Sequence, residues 1–148
     1  MAITGRVLAV NISREKGTKK RNVRRCELLT GFGLKGDAHG GQWHRQVSLL
    51  AKESIDKMRQ RGLKAAYGDF AENITTEGID LMSLPIGTTL RIGREAILRM
   101  TQKGKECHDR CAVFYQMGDC VMPREGVFAE VLHPGHIAAG DSIEVAEE

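Results

Sequence analysis

Gly31-Phe32-Gly33-Leu34-Lys35-Gly36-Asp37-Ala38-His39-Gly40-Gly41 places five glycines in eleven residues, with Lys35, Asp37 and His39 between them. Glycine reaches backbone conformations closed to other residues, so such a segment can turn sharply or wrap closely around something. Two readings follow: a tight turn between strands, or a loop whose N–H groups cradle an anion while three polar side chains project from it. The segment is not a P-loop, since G-x-x-x-x-G-K-[ST] is absent, and it lacks the full dinucleotide fingerprint.

Outward from this loop, glycine continues to punctuate the chain. Seventeen glycines and three prolines divide the 148 residues into short segments, a pattern that favours a mainly β fold over long helices. Strands are predicted over Ala2 to Asn11, Asn22 to Leu29, Gln46 to Ala51, Thr88 to Ile92, Ala96 to Thr101, Val127 to Leu132 and Ser142 to Val145, each β-branched or apolar and bounded by loop signals. One helix is predicted over Lys52 to Arg61, with apolar residues at i, i+3 and Gly62 as its C-terminal cap. Cys107, Cys111, Phe114 and Tyr115 recur at three-to-four spacing and suggest a second, short helix. No repeat or linker interrupts the chain, and a single domain spanning residues 1–148 is expected.

Composition narrows the function classes. A hydrophobic fraction of 41% with 28% charged residues is that of a globular protein, and no apolar run reaches the length of a membrane helix. Met1 to Arg6 lacks the apolar core of a secretory signal, so a cytoplasmic location with reduced thiols is expected. Net charge is only +3 and aromatic residues are 5% of the chain, with no stacking motif among the basic residues, so nucleic acid is not expected as a partner. Arg14, Lys16, Lys19, Lys20, Arg21, Arg24 and Arg25 nevertheless cluster near the N-terminus. They read either as a surface for phosphate or an acidic partner, or as a solvated loop and edge strand kept soluble by charge.

Gly68-Asp69-Phe70-Ala71-Glu72-Asn73-Ile74-Thr75-Thr76-Glu77-Gly78-Ile79 combines turn residues with a Glu-Asn pair at the start of a strand. The pair is suited either to binding a ligand or to tying a loop to backbone groups. Three of the four cysteines lie in Lys105-Glu106-Cys107-His108-Asp109-Arg110-Cys111 and Gly118-Asp119-Cys120. If Cys107 opens a helix, the helix dipole, Lys103, Lys105 and His108 all favour its thiolate, the nucleophilic and metal-binding form. Cys111 sits among Ala112, Val113 and Phe114 and reads as core. Structural zinc is not expected, because one C-x₃-C followed by a lone Cys120 does not supply paired ligands, and His108 would point away from Cys107 on a helix.

In order along the chain, Lys35-Gly36-Asp37-Ala38-His39, Gln46-Val47-Ser48-Leu49-Leu50, Gly68-Asp69-Phe70-Ala71-Glu72-Asn73-Ile74, Leu84-Pro85-Ile86-Gly87-Thr88 and Ile137-Ala138-Ala139-Gly140-Asp141 resemble the MOSC family, the domain found at the C-terminus of molybdenum cofactor sulfurases. The resemblance covers nearly the whole chain. It implies a compact, strongly curved β-barrel of short strands with a few peripheral helices, in a stand-alone MOSC protein. It also implies that Cys107, after the strand Ala96 to Thr101 and a short basic loop, carries sulfur as a persulfide or ligates molybdenum. Glu106 stands where many relatives have proline, and its carboxylate would partly oppose thiolate formation.

On this resemblance the protein binds molybdenum cofactor or a pterin precursor. Lys35, His39 and Asn73 are expected around the ligand, with Asp37 and Glu72 orienting their neighbours and Arg124 as a further anion contact. The expected partners are a cysteine desulfurase, a molybdopterin-processing protein or an acceptor molybdoenzyme. Pyridoxal phosphate would belong to the desulfurase, since this chain has no domain for it. Two alternatives stay open: a non-catalytic delivery or interaction module in which Cys107 is a structural thiol, and a component of a molybdenum-dependent reductase of N-hydroxylated compounds.

Overall fold

The computed structural model describes residues 3–104 and 121–146; the expected helix from Cys107, and with it Cys107, Cys111 and Cys120, lies outside the described residues. β1 (Thr4–Ile12) is the longest strand, and both of its edges are paired. Its first residues meet β11 (Ser142–Val145), and Arg6 to Val10 meet β6 (Ile74–Glu77), both antiparallel. From β11 the order continues through β7 (Thr89–Ile92), β8 (Ala96–Lys103), β9 (Val127–His133) and β5 (Val47–Ala51) to β6, which returns to β1. Seven strands therefore close into a barrel, as expected for a MOSC-type fold. Register shifts in the β1–β6 and β8–β9 ladders supply the local bends that closure of so few strands requires.

β2 (Arg21–Asn22) extends one end of β1, while β3 (Arg25–Leu29), β4 (Gly33–Leu34) and β10 (Gly135–Ala138) form a separate three-stranded sheet. The predicted strand Asn22 to Leu29 is thus broken in two. Arg24 takes φ +69 with its N–H donated to Asn22 Oδ1 at 2.8 Å, a local turn that moves the chain from one sheet to the other. β4, β10 and the one-turn α2 (Met122–Glu125) have no counterpart among the predicted elements, being too short to show a period.

Strand alternation sorts β5 onto two cores. Val47 and Leu49 join Val7, Ile74, Leu98, Met100 and Ile143 inside the barrel, whereas Leu50 packs outside with Ile55 and Met58 of α1 (Lys52–Gln60) and with Phe70, Met122 and Phe128. α1 ends one residue earlier than predicted. Gly62, at φ +98, follows the cap residue Arg61, and the N–H groups of Gly62 and Leu63 return to the carbonyls of Arg59 and Met58.

Because β5 and β6 run parallel, the chain must cross over between them through α1 and the loop after it. That loop ends in a buried polar knot. Glu72, without exposed surface, accepts hydrogen bonds from the N–H groups of Gly68 (3.0 Å) and Phe70 (3.2 Å) and from Thr75 Oγ1 (2.9 Å). Asn73 accepts the Ser48 N–H at 2.9 Å and donates to the Asn11 carbonyl at 3.1 Å, joining β5, β6 and β1. Asn11 donates in turn to the Glu72 carbonyl and to Thr75 Oγ1. Gly68, at φ +94, leaves no room for a side chain, since a Cβ there would stand 2.3 Å from the Lys20 carbonyl oxygen.

Two outcomes test this description. Leu98→Ala, at a fully buried position inside the barrel, is expected to lower stability by about 2–5 kcal/mol in denaturant titration. Burial outweighs the three hydrogen bonds and pushes the Glu72 carboxyl from 4.5 up to about 7. A carboxyl raised on folding contributes stability that is complete below the unfolded pKa and is lost as pH rises through the folded one. Unfolding midpoints of the wild type should therefore fall between pH 4.5 and 7 relative to Glu72→Gln; parallel profiles for the two proteins would refute this.

Candidate functional site

Three loops meet beside the β1 end of the barrel. The first runs from Ser13 to Lys20 between β1 and β2, the second is the glycine-rich segment after β4, and the third is the Gly68–Asn73 loop. Lys20 joins all three. Its backbone N–H donates to the Gly68 carbonyl at 2.8 Å, and its ammonium donates to Asp37 Oδ1 (2.8 Å), Ser13 Oγ (3.0 Å) and His39 Nδ1 (2.9 Å). An ammonium offers only donors, so this contact assigns Nδ1 as acceptor and the ring proton to Nε2.

Asp37 is the counter-charge of this network, and both side chains of the Lys20–Asp37 pair are fully buried. Its carboxylate also accepts the N–H groups of Ser13 (3.0 Å) and His39 (3.1 Å). Burial raises its pKa, but the Lys20 hydrogen bond and charge, with further help from Ser13 and Asn73, hold the carboxyl below its usual 3.8. Asp37 therefore stays ionised, and its second oxygen fixes the turn that presents His39. The basic cluster read from the sequence thus has one member, Lys20, that is buried rather than solvated.

His39 leads to an aromatic and cationic corner. Its carbonyl accepts the Trp43 indole N–H at 2.8 Å. Lys16 Nζ stands 5.1 Å and Arg45 Cζ 4.7 Å from the Trp43 ring centre, and Arg45 Cζ also lies 5.7 Å from the Phe128 ring. His44 Nε2 is 2.9 Å from Gln102 Oε1, and the His44 carbonyl accepts the Thr101 hydroxyl. The corner is thereby bound to Thr101 and Gln102 near the end of β8, and Gln102 lies three residues before Lys105, the first residue of the Cys107 stretch. A cleft of about 450 Å³ opens beside Ser13, lined also by Arg14, Thr18, Lys19 and Arg21. A second cleft, of about 560 Å³, lies between α1 and Leu81–Met82; Glu53, Asp80 and Glu125 outnumber Lys57 there, which disfavours an anionic ligand.

The residues singled out from sequence fall into four places. Asp37 and His39 are in direct contact, and Asn73 adds to the field on Asp37. Glu72 and Asn73 are fully buried in the knot behind them. Lys35 points outward, 71% exposed and 4.0 Å from Glu27. Arg124 lies on α2, its guanidinium 3.8 Å from Met58 Sδ. Ser13, Lys20, Trp43 and Arg45 were not reached as site residues from the sequence. Lys20 is indistinguishable there from its neighbours Lys19 and Arg21, but the Trp43-x-Arg45 spacing next to a strand is a pattern from which a stacked cation can be read.

Among the described residues, no group of three His, Cys, Asp or Glu side chains is placed to hold a metal ion, and no helix is long and apolar enough to cross a membrane. A search of curated proteins finds no match. Solved structures similar to this one include the YuaD protein of Bacillus subtilis, with a TM-score of 0.81 and 19% identity over 98% of this chain and 97% of that one. YiiM of Geobacillus stearothermophilus (TM-score 0.72, 18% identity, 97% and 75% covered) and YiiM of Escherichia coli (0.67, 22%, 97% and 70%) share the same fold. The MOSC domain model matches residues 35–144, from the glycine-rich loop to the closing strand, and on that match the chain belongs to the MOSC domain family.

Proposed function

We propose that this MOSC protein binds molybdenum cofactor, or a pterin precursor of it, and handles sulfur or molybdenum through Cys107. The observation that carries the reading is the cationic corner. Lys16 and Arg45 stand over Trp43, whose indole N–H is held by the His39 carbonyl, and the buried Lys20–Asp37 pair fixes His39 behind them. Such a corner fits the phosphate end of a pterin cofactor, because two cationic side chains stand beside one indole face. When bound, the cofactor would supply a metal that accepts sulfur.

The protein's own residues have separable roles in this proposal. Lys20 and Asp37 fix the backbone turn and ring orientation of His39, and through the His39 carbonyl the position of Trp43. Asn73 and Glu72 act from behind, holding the loop that carries Gly68 against Lys20. Lys35 and Arg124 add positive charge from outside the buried network. For sulfur transfer, the Cys107 thiolate would attack the outer sulfur of a persulfide on a partner cysteine desulfurase. The donor S–S bond breaks, the donor leaves as its thiolate, and Cys107 holds the transferred sulfur as a new persulfide. The proton stays on that sulfur, and no external oxidant is required. By its place in the sequence Lys105 would favour the thiolate that begins this step and Glu106 would oppose it, whereas the ammonium of Lys103, which the sequence also offered, donates to the Met82 and Leu84 carbonyls.

Incubating the protein with molybdenum cofactor, and separately with a desulfurase and cysteine, tests the proposal. Bound molybdenum and a cysteine carrying one extra sulfur, measured by mass spectrometry, are expected on the wild type and lost in Cys107→Ser. Neither species on the wild type, or both unchanged in Cys107→Ser, would remove Cys107 from the function and favour the delivery module. Lys20→Met should cost about 3–5 kcal/mol of stability by stranding Asp37 in the interior. Pairing it with Asp37→Asn should recover part of that loss without restoring cofactor loading.

A further inference from the structure

We propose that Arg45 is the anchor of a phosphate-type anion site built on Trp43. The inference deepens the cofactor reading by naming the residue that grips the anionic group, and it rests on that reading only for the identity of the physiological ligand.

The argument begins with what holds Arg45. The next residue, Gln46, is buried, and its Oε1 accepts the Val131 N–H at 2.9 Å, which fixes the entry to β5. Two residues before it, Trp43 is tied to the His39 carbonyl. Between these anchors the Arg45 guanidinium lies near two rings, 4.7 Å from the centre of Trp43 and 5.7 Å from that of Phe128. Aromatic neighbours restrict the side chain but satisfy none of its N–H groups, since a ring face attracts the charge without accepting along the guanidinium edge.

Part of the Arg45 hydrogen-bonding edge is unmatched. Its Nε is buried and has no acceptor, and no carboxylate lies within ion-pair distance of it among the described residues. Three other arginines of this chain do have carboxylate partners. Arg59 meets Asp56 at 3.2 Å, Arg91 meets Glu144 at 3.7 Å, and Arg99 pairs with Glu130. A buried, restrained donor without an acceptor is costly in a finished structure, whereas it is useful where a ligand completes it. The Nε–H together with one terminal N–H forms a fork that matches two oxygens of one anion. Lys16, on the same tryptophan, adds a second positive charge, which favours a dianionic phosphate over a carboxylate.

Trp43 is the sole tryptophan of the chain, so intrinsic fluorescence reads this site alone. Inorganic phosphate and glycerol phosphate, titrated at constant ionic strength, are expected to give a saturable change in wild-type emission. Arg45→Met should weaken that response at least tenfold. Arg45→Lys, which keeps charge but not the fork, should weaken it severalfold and serves in place of Arg45→Met if that variant does not fold. An unchanged phosphate response in the Arg45 variants, an equal response to chloride, or tighter binding of acetate would each overturn the proposal. Molybdenum loading separates the two readings. A phosphate response that depends on Arg45, in a wild type that loads no cofactor, sustains this site and defeats the cofactor reading. Full cofactor loading with no phosphate response defeats the Arg45 site alone.

Discussion

A carboxyl group sealed away from water, Glu72, organises the junction on which the rest of the structure depends. A seven-stranded barrel containing one parallel pair must bring a crossover loop back into its own wall, and the backbone groups of that loop then need partners in the interior. Glu72 takes two N–H groups of its loop, Asn73 spans from β5 to β1, and Asn11 closes the circuit from β1. An apolar residue at any of these places would leave several buried donors and acceptors unmatched at once. The knot therefore sets the relative positions of β1, β5 and β6, and the apolar interior fills around a register already specified.

The site inherits its rigidity from the same junction. Gly68 admits the Lys20 carbonyl at a distance no side chain would allow, and the Lys20 N–H returns a hydrogen bond to Gly68. That close approach draws the basic N-terminal loop inward, where the Lys20 ammonium finds Asp37 and His39. A buried ion pair is poor evidence for stability in itself, because desolvation offsets much of the attraction. Its value here is positional: it holds a histidine and, through the His39 carbonyl, a tryptophan in one arrangement. Charge around Trp43 is then left in excess, which is the usual condition for receiving an anion.

Legibility in the sequence varied with the length scale of each interaction. The strands at Ala96–Lys103 and Val127–His133 were visible over Ala96 to Thr101 and Val127 to Leu132 because runs of apolar and β-branched residues between loop signals mark them, whereas Gly33–Leu34 and Gly135–Ala138 are defined by their partners and leave no such mark. The predicted strand Asn22 to Leu29 concealed its break, since a positive φ at Arg24 depends on an asparagine cap that propensity does not register. Of the polar residues, Asp37, His39, Glu72 and Asn73 drew notice because they sit among glycines and turn signals. Lys20 did not, because burial of one lysine within a charged run is decided by the loop it meets.

By itself the sequence determined the mainly β class, through its glycine-divided short strands, and the neighbourhood of the polar loops, while its ordered motifs carried the resemblance to the family that implied the barrel. Tertiary structure alone decided which of those polar groups face one another. Lys20 and Asp37 are seventeen residues apart, and Asn11 and Glu72 sixty-one. No local rule pairs residues so distant. Barrel closure does so, by bringing the end of β1, the glycine-rich loop and the crossover loop to one place, where burial makes each unmatched polar group costly enough to select its partner.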